Sequence, residues 1–87
     1  MDGLTEGRLV HFVMNDGEHR PAIVVKVWSK ESGVSNLTVF TDWHNDVRPN
    51  DESESMNAAI SSGLLWRTSI PYSEEPERNT WHWIEKA

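Results

Sequence analysis

The sequence predicts a mostly β domain, on three observations: apolar and polar side chains alternate with period two in five segments, those segments are rich in β-branched and aromatic residues, and turn-forming residues separate them. Arg8 to Met14 sets Leu9, His11 and Val13 on one face and Val10, Phe12 and Met14 on the other, so both faces are largely apolar. Such a strand suits a closed or sandwiched position. Asn15-Asp16-Gly17 tolerates the positive φ of a tight turn, and Pro21 leads into a second strand, Ala22 to Trp28, making a hairpin. Ile23, Val25 and Val27 are the expected core face of that strand, with Ala22, Val24, Lys26 and Trp28 opposite. Ser29 to Gly33 connects to a third strand, Asn36 to Thr41. Asp42 to Asn57 breaks the alternation with Pro49, several Asn and Ser residues and the acidic cluster Asp51, Glu52 and Glu54. It reads as a long loop, either a flap over a ligand or a solvated excursion. Leu64 to Ile70 is the fourth strand, ended by Pro71, and Thr80 to Ile84 the fifth. Five short antiparallel strands with one long acidic loop fit a small SH3-like barrel or roll, whereas an immunoglobulin sandwich needs about seven strands and roughly 100 residues.

A chain of 87 residues is expected to form one domain, residues 1–87, because so short a chain cannot divide its core. It has no cysteine, so disulfides are excluded, and four scattered histidines without a cysteine partner predict no metal site. Stability must come from packing or from assembly into a homo-oligomer. Eight Lys plus Arg against fourteen Asp plus Glu give a net charge of -6, which argues against DNA or RNA as partners. The apolar runs fall far short of the ~20 residues that cross a bilayer, and no signal-peptide pattern opens the chain, so a soluble, cytoplasmic protein is expected.

Five tryptophans, Trp28, Trp43, Trp66, Trp81 and Trp83, are too many for a core this small. Indole rings stack on planar groups and are favoured at binding surfaces. Trp43 lies in the polar loop beside His44, while Trp81 and Trp83 share a face and would either cap one end of the fold or form an aromatic wall. A guanidinium matches a phosphate, so Arg48 and Arg67 complete an Arg and Trp combination suited to a nucleotide. Trp43, His44, Arg48, Arg67, Trp81, His82 and Trp83 are therefore the expected ligand-binding residues. Catalytic constellations are wanting. Asp42-Trp43-His44-Asn45-Asp46 has donor spacing but lacks the glycine and terminal glutamate of a calcium loop, and there is no nucleophile elbow or Gly-rich phosphate loop. Asn36-Leu37-Thr38 matches a glycosylation sequon but reads as strand sequence. No catalysis and no cofactor are expected.

The segments Pro21-Ala22-Ile23-Val24-Val25-Lys26-Val27-Trp28, Asn36-Leu37-Thr38-Val39-Phe40-Thr41-Asp42, Ser69-Ile70-Pro71-Tyr72-Ser73-Glu74-Glu75-Pro76 and Thr80-Trp81-His82-Trp83 together resemble a group of short proteins encoded by tailed bacteriophages and prophages. The resemblance spans about residues 9 to 84 and implies action in the host cytoplasm. Small phage proteins of this size include sponges that sequester nucleotide-derived immune signals, as in the anti-CBASS and anti-Thoeris systems, and virion decoration or adaptor proteins. It therefore implies immune evasion by a non-catalytic, homo-oligomeric sponge for a cyclic nucleotide or ADP-ribose-type ligand, with a virion protein as the alternative.

Overall fold

The computed structural model describes residues 1–42, 46 and 63–85. Five strands, β1 (Leu9–Val13), β2 (His19–Val27), β3 (Ser35–Phe40), β4 (Leu64–Ile70) and β5 (Trp81–His82), form one antiparallel sheet in the order β4-β3-β2-β1-β5. The mostly β architecture is as the alternation predicts. The sheet is open, however, with β4 and β5 at its edges, and no barrel closure supports the SH3-like label. One isolated parallel bridge, Tyr72 to Trp81, links the segment after β4 to β5. Among the described residues no helix is long and apolar enough to cross a membrane.

Local chemistry sets each connection. The Asp16 carboxylate accepts the Glu18 N–H at 2.9 Å and Gly17 takes a φ of 89°, closing the β1–β2 turn. Between β2 and β3, Gly33 adopts a φ of 87°, its N–H donates to the Ser29 carbonyl at 2.7 Å, and its own carbonyl accepts the Trp81 indole N–H at 2.7 Å. A bulky ring is thus hooked to a turn remote in sequence.

Cross-strand register decides which face is core. Val10 pairs with Ala22, Ala22 with Val39, Val24 with Leu37, and Val39 with Leu65. These residues are buried together with Leu4, Phe12, Ile70 and Trp81 on one face of the sheet. The expected core face of β2 is corrected by this register: Ala22 and Val24 are buried, whereas Ile23 is half-buried and Val25 exposed. Both faces of β2 are apolar, so alternation alone cannot rank them. A bulge between Val24 and Lys26 then shifts the phase, and Val27 packs against the core after all. The other face carries His11, His19 and His82 together with exposed Leu9, Phe40, Leu64 and Trp66.

Asn36 sits where β3 bulges against β4 and is buried. Its Oδ1 accepts the Trp28 indole N–H at 2.8 Å, the Thr68 hydroxyl at 2.9 Å and the Ser69 N–H at 2.8 Å. The sequon match at this residue is therefore structural sequence.

Candidate metal centre

Three strands and the residue that ends the described chain build one polar cluster on the outer face of the sheet. Period two sends His11 outward because Val10 and Phe12 point to the core, and the register sets His11 directly opposite His82 on β5. The hairpin pairs Val13 with His19, which brings His19 to the same face two residues along from Pro21, the partner of His11. Ring centroids lie 6.1 Å apart for His11 and His19, 5.8 Å for His11 and His82, and 4.8 Å for His19 and His82. Glu85, three residues beyond His82, folds its carboxylate back between the rings.

That carboxylate is the meeting point. His11 Nδ1 lies 2.5 Å from Glu85 Oε2 and His19 Nδ1 2.9 Å from Oε1, and His82 Nε2 hydrogen-bonds to the same Oε1. Burial works against a charged carboxyl here, but the Glu85 backbone N–H and the His11 and His82 hydrogen bonds outweigh it and bring its pKa from 4.5 down to about 2. The His82 side chain is 8% exposed, and its Nδ1 is buried with no hydrogen-bond partner among the described residues.

The four donor atoms lie within 4.8 Å of one another. A tetrahedral ion about 2.0–2.1 Å from each donor sets every pair of donors about 3.3–3.4 Å apart, so the widest pair must close by somewhat over an ångström while the close Glu85 contacts open. Glu85, with 47% of its side chain exposed, can withdraw to make room for an ion on which the imidazoles would close. Three imidazoles and one carboxylate suit zinc or a neighbouring first-row divalent ion, whereas calcium and magnesium demand mostly oxygen ligands.

No family model, curated protein or solved structure matches the chain. The arrangement is therefore judged on its own geometry.

Of the ligand-binding residues expected from sequence that lie among the described residues, only His82 belongs to this cluster. Trp43, His44 and Arg48 lie outside the described residues. Trp81 does not form a wall: it is fully buried, edge-on to Tyr72 and Trp83, and offers no ring face to a ligand. Arg67 pairs with core residue Leu37 on the opposite face of the sheet, stands over the Phe12 ring at 5.7 Å and donates to Asn79 Oδ1 at 3.3 Å. Trp83 is half-buried and accessible, with the Arg8 guanidinium 5.3 Å from its ring centroid. Asp46, the last donor of the loop spacing noted above, is committed elsewhere, holding Arg20 through two hydrogen bonds of 2.8 and 2.7 Å.

Sequence reasoning missed His11, His19 and Glu85. The signal was present, since the Asn-Asp-Gly turn fixes the hairpin register and thereby puts His11 and His19 on one face. What alternation could not supply is that β5 pairs with β1. Beside the cluster runs a trough of about 370 Å³, bounded by His82 and Glu85 and lined by Tyr72, Glu74, Pro76 and Trp83.

Proposed function

We propose that the protein binds a divalent transition-metal ion through His11, His19, His82 and Glu85. The observation that supports this is the convergence of three imidazole nitrogens and one carboxylate, drawn from three strands, on a single point. The ion would tie the two-residue edge strand β5 to the β1–β2 hairpin, as structural zinc sites do in small domains.

Equilibrating the protein with zinc, dialysing against metal-free buffer and measuring metal content tests this reading. One zinc per chain is expected. His11→Ala and His19→Ala should each weaken binding by more than the ~10–100-fold typical of losing an outer-shell partner, and Trp28→Ala, away from the cluster, should leave it unchanged. Zinc content no higher than that of the double His11→Ala, His19→Ala variant would overturn it.

A further inference from the structure

We propose that the bound ion is also a docking point for an exogenous ligand: a flat aromatic or heterocyclic ring bearing one phosphate or carboxylate, its anionic oxygen on the metal and its ring against Trp83. This rests on the metal reading above. The four protein donors are not equivalent. His11, His19 and His82 are held by β1, β2 and β5, whereas Glu85 lies past the last strand with nearly half its side chain in water. A carboxylate so placed can yield its position on the metal to another anionic oxygen while the three imidazoles keep the ion. Three neutral imidazoles leave a divalent ion with its full positive charge, which an incoming anion offsets as Glu85 did.

The surroundings specify the rest of the ligand. The position Glu85 occupies opens on the trough of about 370 Å³, at the small end of the ~300–1,000 Å³ range of small-molecule sites. Tyr72, Pro76 and Trp83 give it a mainly apolar lining, and Trp83 is the accessible indole there. Arg8, 5.3 Å from the centroid of that ring, lines a separate groove with Gly7, Leu9 and Ile84 and is not part of the trough. Glu74 on the lining disfavours polyphosphates and favours a single anionic group.

Cobalt(II)-loaded protein, whose visible absorption reports changes of coordination, is titrated with adenosine monophosphate, benzoate, inorganic phosphate and acetate. The two ring-bearing anions should alter the spectrum and bind about 10-fold more tightly than the bare ones, an advantage of the size a stacked ring provides. Trp83→Leu should abolish that advantage and Trp83→Phe retain much of it, with cobalt loading showing that each variant is folded. Cobalt bound with a spectrum that none of the four anions moves would overturn the ligand proposal and leave the metal reading standing. A ring advantage absent from the parent, or unchanged in Trp83→Leu, would overturn the place of the trough. Failure to load cobalt at all would overturn the metal reading itself.

Discussion

Glu85 is the residue on which the cluster turns, because it holds three imidazoles together when no metal is bound. Its pKa is lowered from 4.5 to about 2, so the metal-free fold gains stability from this carboxylate above pH ~4.5 and loses it as the pH falls toward ~2. The side chain is half in water, which keeps the effect small. Urea midpoints of the metal-free parent and of Glu85→Gln should therefore differ most at pH 5 and converge as the pH falls to ~2.5. A gap that stays constant over that range would show that folding does not perturb the carboxyl. Zinc binding should weaken in the same direction for a separate reason, since every proton taken up by an imidazole competes with the ion.

At the scale of elements, the sequence and the structure part company where register matters and agree where punctuation does. β4 runs from Leu64 to Ile70, the bounds read from sequence, because Gly63 and Pro71 mark its ends. β2 was legible as a strand but not by face. Its two apolar sets, Ala22 and Val24 against Ile23, Val25 and Val27, are ranked only by pairing with Val10 and Leu37 and by the bulge that follows. The site was half legible for the same reason: hairpin chemistry aligns His11 with His19, but the pairing of β5 with β1 joins segments remote in sequence and leaves no local trace. The β3–β4 irregularity has its own keystone in Asn36, whose Oδ1 serves three donors. Asn36→Ala leaves the Thr68 hydroxyl and the Ser69 N–H short of an acceptor and should cost about 2–3 kcal/mol in urea unfolding. Asn36→Asp, which keeps the acceptor, should cost less. Equal losses in the two variants would mean that packing, not hydrogen bonding, holds the bulge.

For the molecule as a whole, a single sheet with its core on one face must keep a two-residue edge strand in place. The Trp81 ring secures β5 from the core side, and the metal would secure it from the other. An ion that binds only the folded chain stabilises it by ~2.7 kcal/mol at a free concentration 100-fold above its dissociation constant. For a domain of this size that corresponds to a rise in melting midpoint of roughly 10–20 °C. Thermal melts with zinc and with chelator should show that separation in the parent and none in His19→Ala. An unchanged parent midpoint at saturating zinc would mean that the folded chain holds the ion no more tightly than the unfolded chain does.

The turn that receives the Trp81 indole has a narrower future than any other part of the chain. A Cβ on Gly33 would come 2.7 Å from the Tyr72 Cβ and 3.1 Å from the Met1 side chain, on a backbone already at a φ of 87°. Neither Tyr72 nor Trp81 can retreat without loosening the core and, through β5, displacing His82. Ser29 helps to close the same turn, its Oγ accepting the Ser32 N–H at 3.2 Å, but position 33 is where any side chain would collide, so a silent-looking glycine far from the histidines sets a limit on how the histidine cluster can evolve.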